Sequence, residues 1–166
     1  TAAIHIDLEE PLLAIDLLKK AIKIDPFNGN AFYNLGIILK NQNLYDQAIN
    51  MFEQSINLYK KSNYKNISIA KAYSSIGLCY LSLSKFEKMK ECFLKVIEYD
   101  EEQEQALGFI YYAKLYCGEW NNLDYYRNLA LKKIKENKLP TTPFSTFSIT
   151  DDPKIQYQVA KKFSKS

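Results

Sequence analysis

The stretch Asn28-Gly-Asn-Ala-Phe32-Tyr-Asn-Leu35-Gly36-Ile-Ile-Leu39-Lys-Asn-Gln-Asn-Leu-Tyr45-Asp-Gln-Ala48-Ile-Asn-Met-Phe52-Glu-Gln-Ser55-Ile-Asn-Leu-Tyr59-Lys60 decides the fold. Phe32, Leu35, Gly36 and Leu39 fall at i, i+3, i+4 and i+7, one face of a 3.6-residue helix. After a short polar turn, Tyr45, Ala48, Ile49, Phe52, Ser55, Ile56 and Tyr59 do the same. Each helix has a broad apolar face, and a single hairpin cannot bury both. The pattern asks for copies of itself.

The copies stand at readable spacings. Ala14, Leu18, Ala21 and Pro26 precede Ala48, Phe52, Ser55 and Lys60 by a constant step of about 34 residues, a period at which helix pairs are known to repeat. Tyr73, Ile76, Gly77, Tyr80, Phe86, Met89, Phe93 and Val96 follow Phe32, Leu35, Gly36, Leu39, Tyr45, Ala48, Phe52 and Ser55 by a second constant step, longer than the first. This order of a large residue, Leu-Gly, a tyrosine before the second helix, alanine, an aromatic, a small residue and a closing proline resembles the tetratricopeptide repeat. The resemblance implies an all-α chain, a right-handed superhelical stack of antiparallel helix hairpins. The expected units are about 1–28, 29–62, 70–103 and a divergent 103–138, with 139–166 as a proline-containing junction and C-terminal helix.

Composition narrows the function classes. With 22 basic and 19 acidic side chains the formal charge is +3, too small for a nucleic-acid surface. No apolar run approaches the roughly 18 residues that span a bilayer. Cys79, Cys92 and Cys117 have no metal-ligand spacing and read as free thiols in a reducing compartment, which sets the expected location as cytoplasmic or similar. Catalytic, cofactor-binding and metal-ligating residues are expected to be none in these 166 residues. Asp151 and Asp152 are adjacent, but Asp152 reads as a helix cap before Pro153 rather than half of an acid–base pair.

Along the chain, Ile4, Ile6 and Leu8 read as the end of an incomplete first helix, and Pro11 to Ile24 as the second helix of that unit, stopped by Asp25-Pro26. Asn28 or Asn30 caps the next. Gly36 and Gly77 each cost a mid-helix about 1 kcal/mol relative to alanine. Their matched positions mark sites where the paired helix comes too close for a side chain. The step to the third unit is longer by seven residues, almost two turns, which predicts lengthened helices at about 45–61 and 66–82. Further helices are predicted at 85–99, at 102–116 with Glu101, Glu102 and Glu104 at its positive end, and from Trp120 to about Glu136. Past Tyr99 the repeat signature weakens, although Ala106, Phe109, Ile110 and Ala113 keep an apolar face. Pro140 and Pro143 exclude a regular helix through 139–150, whose Phe144, Phe147 and Ile149 should lie along a surface. Trp120, Phe32, Phe52, Tyr73, Phe86 and Phe93 read as core.

The ending carries a second resemblance. Cys117-Gly118-Glu119-Trp120, then Leu139-Pro140-Thr141-Thr142-Pro143-Phe144 and Asp151-Asp152-Pro153-Lys154-Ile155, resembles the junction in the O-linked N-acetylglucosamine transferase and SPINDLY-like family. That resemblance implies a parent chain in which the repeats present protein substrates to a nucleotide-sugar-dependent catalytic domain in the same full-length chain. No donor-binding segment of such a domain lies within this sequence.

The repeat's inner surface is expected to take a protein or extended peptide. Its candidate contacts are Asn30, Tyr33, Asn34, Ile37, Lys40 and Asn41 in one unit and Lys71, Ser74, Ser75 and Leu78 in the next. Asparagine amides donate and accept, so they pair with a peptide backbone whatever its side chains. Asn34 matches an asparagine of the family's ladder, but Ser75 occupies the next rung. The leading reading is thus a protein-interaction module, the substrate-presenting repeats of an O-linked glycosyltransferase. The alternatives are a parent that is itself that enzyme, and a free-standing scaffold without chemistry.

Overall fold

In the computed structural model, residues 11–62, 66–103 and 105–165 are described. Among them every regular element is helical: α1 (Pro11–Ile24), α2 (Gly29–Asn41), α3 (Tyr45–Lys61), α4 (Asn66–Ser82), α5 (Phe86–Tyr99), α6 (Ala106–Tyr116), α7 (Leu123–Lys135), α8 (Pro143–Ile149) and α9 (Pro153–Phe163). Helices α1 through α7 pack each on the next, and α8 bridges α6 and α9. This is the stack of antiparallel hairpins that the repeat pattern implies. The reading of Ile4, Ile6 and Leu8 lies outside the described residues.

Local chemistry sets the ends. The Asn28 side chain accepts from the Ala31 amide at 3.1 Å, pairing one of the first-turn donors that a helix cannot satisfy itself. Helices α2 and α4 end in the same turn: Asn43 and Ser84 take the left-handed conformation (φ 62° and 55°). Leu44 N–H then reaches back to Leu39 O, and Lys85 N–H to Tyr80 O, each at 2.9 Å. Gly118 and Asn137 close α6 and α7 the same way, with Glu119 N–H on Lys114 O and Lys138 N–H on Lys133 O. The turn recurs because it pairs carbonyls that the helix end leaves free.

Packing inside each hairpin follows the two glycines. A Cβ on Gly36 would sit 2.7 Å from Phe52 Cε1, and one on Gly77 would sit 2.8 Å from Phe93 Cε2. Phe52 and Phe93 are 0% and 1% exposed, and each such ring contributes about 1.5–3 kcal/mol by leaving water. Between the two hairpins, α3 and α4 have 17 residues each and end where the seven extra residues predict. Because the insertion is close to two turns, Ile56, Tyr59, Ile69, Ala72 and Ile76 stay on the faces that meet in one core.

Several expectations fail past Tyr99. Helix α6 begins at Ala106 rather than Glu102, because Gln105 turns left-handed (φ 67°). The free amides at its start are paired by a strap from far along the chain: Gln105 N–H donates to Leu139 O at 2.7 Å and Gly108 N–H to Pro140 O at 2.9 Å. Glu102 instead binds Lys133 at 3.1 Å and Lys138 at 2.8 Å. Trp120 is not core but 71% exposed; α7 starts only at Leu123, after a left-handed Asn122, and the space against α6 is filled by Leu107, Tyr111 and Ala130.

The stretch 139–150 does contain a helix. Pro143 is its first residue, where a missing N–H costs nothing, and Thr142 caps it by accepting from Ser145 N–H at 3.2 Å. Of its three apolar residues only Ile149 is buried; Phe144 and Phe147 are 72% and 67% exposed, while Thr141, Ser145 and Thr146 face inward. Among the other aromatic residues read as core, Phe32, Tyr73 and Phe86 are half-buried. Asp152 caps α9 through Lys154 N–H at 2.9 Å, with Pro153 in the first turn, as its sequence predicts.

Candidate peptide-binding face

Helices α2 and α4, the first helices of consecutive hairpins, touch each other directly. The candidate residues are those whose side chains lie away from the glycine-lined hairpin seam. On α2, Tyr33, Asn34, Ile37 and Lys40 are half-buried and Asn30 and Asn41 exposed. On α4, Ser74 and Leu78 are half-buried and Lys71 exposed.

These side chains divide into committed and available groups. Asn30 Oδ1 accepts from Tyr59 Oη at 2.8 Å, which ties it to α3. Tyr33 leans on Phe52 with ring centroids 5.5 Å apart. Ile37 and Leu78 pack against the two central cores. Ser75 is buried, and its hydroxyl donates to Lys71 O at 3.1 Å, so it offers nothing outward. Among the described residues, the side-chain amides of Asn34 and Asn41 make no hydrogen bond and Lys40 has no ion-pair partner. Polar groups open to a ligand thus remain on both helices: Asn34, Asn41 and Lys40 on α2, and Lys71 and Ser74 on α4.

Thiol chemistry is suppressed nearby. Burial pushes Cys79 up to about 11 against the opposing pull of Lys40, and burial with Glu91 pushes Cys92 to about 12. Among the described residues no group of three His, Cys, Asp or Glu side chains could hold a metal ion. No described helix is long and apolar enough to cross a membrane.

Two features escaped the sequence reading. A charged cluster joins α5, α6 and the following turn: Glu119 binds both Lys90 and Lys114, the latter at 3.1 Å, while Lys90 also binds Glu87 at 2.7 Å and Lys114 binds Asn121 at 3.2 Å. The two lysine side chains are about one-tenth exposed or less, 10% and 7%. Hydrogen bonds from Lys90 and then Lys114 hold the Glu119 carboxyl below the usual carboxylate range. Burial alone would lower Lys90, but its bonds to Glu119 and Glu87 outweigh that and raise it. The second feature is a hollow of about 220 Å³ between α4, α6 and α8, walled by Leu81, Phe109, Tyr112 and Phe144. Lysines at inward positions of amphipathic helices were a signal for the first; nothing local marks the second, since α8 comes to it from far along the chain.

Comparison with known proteins agrees with this geometry. Residues 17–50 and residues 70–103 each match a family profile described as a tetratricopeptide repeat. No curated protein matches the chain. Among solved structures, MamA superposes with a TM-score of 0.68 at 27% identity, over 79% of this chain and 72% of that one. PilF of Pseudomonas aeruginosa gives 0.67 at 18% identity, over 94% and 67%. The N-terminal domain of stress-induced protein-1 (STI-1) from C. elegans gives 0.52 at 16% identity, over 58% and 73%. Nothing in these findings ties the chain to the glycosyltransferases that its ending resembles. The chain has the tetratricopeptide-repeat fold, a stack of helix hairpins with recognisable repeats at residues 17–50 and 70–103.

Proposed function

We propose that this chain is a protein-interaction module that holds an extended peptide or protein segment along the face of α2 and α4. The observation that carries the reading is Asn34: half-buried, with an amide unpaired among the described residues, beside Tyr33, Ile37 and Lys40. The amide is open to solvent, so a peptide backbone would exchange its water for direct hydrogen bonds, each worth about 1 kcal/mol net. The aromatic and aliphatic neighbours supply desolvation around it. Ser75 cannot repeat the contact, so recognition centres on one unit rather than on a continuous ladder.

The test is selection of binders from an immobilised peptide array with the 166-residue chain, followed by affinity measurement on Asn34→Ala. One lost hydrogen bond of about 1 kcal/mol corresponds to roughly fivefold weaker binding, with helical content retained. Unchanged affinity rejects the contact.

A finer proposal is that the module presents substrate within an O-linked glycosyltransferase in a reducing, cytoplasm-like compartment. It is supported by the junction motif and by the exposed Phe144, Phe147 and Tyr157 at the same end, which a following domain would cover. The full-length gene product, incubated with nucleotide sugars and a bound peptide, should glycosylate serine or threonine; absence of product removes this refinement and leaves the binding module standing.

A further inference from the structure

The α2/α4 face continues onto α6. Counted back from the left-handed residue that closes each helix, Asn43, Ser84 and Gly118, the buried positions coincide: Leu35, Ile76 and Ile110 share one place, and Ile38, Cys79 and Ala113 another. The same register brings Asn34, Ser75 and Phe109 into line, and likewise Ile37, Leu78 and Tyr112. The face that offers an amide on α2 therefore offers an aromatic ring on α6.

That change of chemistry falls where the hollow of about 220 Å³ opens between α4, α6 and α8. Leu81 supplies one wall, Phe109 and Tyr112 the second, and Phe144 the third. The third wall comes from α8, outside the repeats, so the hairpin pattern alone does not build it. Among the described residues no charged side chain lines the hollow, and its hydroxyls are engaged: Thr142 Oγ1 donates to Ser145 Oγ at 3.0 Å and accepts from the Ser145 amide at 3.2 Å, while the Tyr112 phenol pairs with Tyr116. A water needs two to four polar partners to be held in such a space, and these walls present carbon.

The walls are set in advance. Phe109 stacks on Phe93 with centroids 4.5 Å and planes 16° apart, and Tyr112 meets Phe144 edge-on at 6.1 Å. Helix α8 is held by its buried Ser145 and Thr146 and by the strap that bonds Gly108 N–H to Pro140 O. Phe144, at 72% exposed, forms a lip with ring surface still open. An apolar cavity of roughly 150 Å³ is enough to hold benzene, so the hollow has room for one ring. From these walls we infer that it takes one aromatic side chain of the peptide or protein segment that lies along this face, as the anchor at its apolar end. Three aromatic neighbours give a guest ring the offset and edge-on contacts that such pairs prefer. The inference rests on the peptide-binding reading for its ligand and on none of the α2 contacts.

The probe is N-acetyl-phenylalaninamide, titrated into the isotope-labelled 166-residue chain and followed by amide NMR shifts. Saturable shifts are expected at Leu81, Phe109, Tyr112 and Ser145, with a dissociation constant of about 1–30 mM. N-acetyl-leucinamide should bind about two- to tenfold more weakly, and N-acetyl-alaninamide at least about tenfold more weakly. Phe144→Ala removes an exposed wall and should weaken the phenylalanine probe at least about threefold with the fold intact. Asn34→Ala should leave that probe unaffected. If Asn34→Ala also leaves array-selected peptides unaffected, the α2 contact falls and the hollow stands. Shifts that do not saturate, that centre elsewhere, that are as strong for either of the other amides, that persist undiminished in Phe144→Ala, or that weaken in Asn34→Ala overturn the proposal. The three amides on the unaltered chain keep the test decisive if Phe144→Ala folds poorly.

Discussion

Gly36 and Phe52 set the distance between α2 and α3: the ring lies where the Cβ of any other residue would fall, 2.7 Å from its Cε1 atom. Gly36→Ala gains about 1 kcal/mol of helix propensity. It also forces a fully buried ring to move, which costs about 1–3 kcal/mol. The expected net is destabilisation by up to about 2 kcal/mol in urea unfolding. Combined with Phe52→Leu, the glycine substitution should cost less than it does alone, because the clash is with the ring.

Gly108 meets the backbone of Thr141 as well as its side chain. A Cβ there would lie 2.7 Å from Thr141 Cβ and 2.8 Å from Thr141 Cα, so nothing can rotate away. Gly108→Ala should lift the 139–141 strap and break the bonds to Leu139 O and Pro140 O, a loss of about 3 kcal/mol. Hydrogen exchange provides the check: the Gln105 and Gly108 amides should lose protection first, with α8 and α9 following. Unchanged protection would mean that the strap is not what caps α6.

The fold was legible in the sequence where one rule governed several residues at once. The glycine–aromatic pairs, the lengthened step between units and the lengths of α3 and α4 all follow from faces that must coincide after whole turns. Legibility ended where a helix is completed by residues far along the chain. The acidic cluster at 101–104 looked like a first turn because negative charge suits that place, yet the amides of α6 found Leu139 and Pro140 instead. Trp120 looked like core because large aromatics usually are; the two left-handed residues around it, Gly118 and Asn122, turn it outward. At the α2/α4 face the sequence did not reveal which candidate side chains are already committed within the fold. Asn30 is engaged by Tyr59, and Ser75 is turned back onto its own helix.

Trp120→Ala tests that correction. An exposed side chain outside any core should change stability by no more than about 0.5 kcal/mol, whereas removal of a core tryptophan costs about 3–5 kcal/mol. Thermal and urea unfolding separate the two outcomes without ambiguity.

Glu119→Gln removes the one carboxylate that both Lys90 and Lys114 share, leaving two largely buried ammoniums undercompensated. At neutral pH the urea midpoint should fall. The Glu119 carboxyl is held below its usual range in the folded chain, so its contribution is present above the unfolded carboxylate's range and is lost as pH falls through the folded value. The gap between the native chain and the variant should therefore close in acid. Lys90 is raised, so its contribution persists below its ordinary range and disappears only as pH rises through the folded value. A gap that stays constant from neutral pH into acid would contradict the assignment.

Thiol labelling reads burial directly. Cys79 and Cys92 are buried and Cys117 half-buried. The reactive form is the thiolate, which burial disfavours most at the first two positions. At pH 8 a disulfide reagent should modify Cys117 well before the others, and all three at equal rates after denaturation. Fast labelling of Cys92 in the native chain would show the α4/α5 core to open.

Repeat stacks are usually additive: each hairpin leans on its neighbours, and an end can be trimmed one unit at a time. The carbonyls of Leu139 and Pro140 change that accounting here, because they finish a helix whose start, at Gln105, lies a full helix pair upstream of them. A chain shortened to end at residue 138 would lose more than its last two helices. It would also fray the start of α6 and loosen the Phe93–Phe109 stack beside it, whose ring centroids are 4.5 Å apart. The C-terminal third should thus unfold as one cooperative unit, so that a shortened version meant to stay intact either keeps the strap or stops before α6.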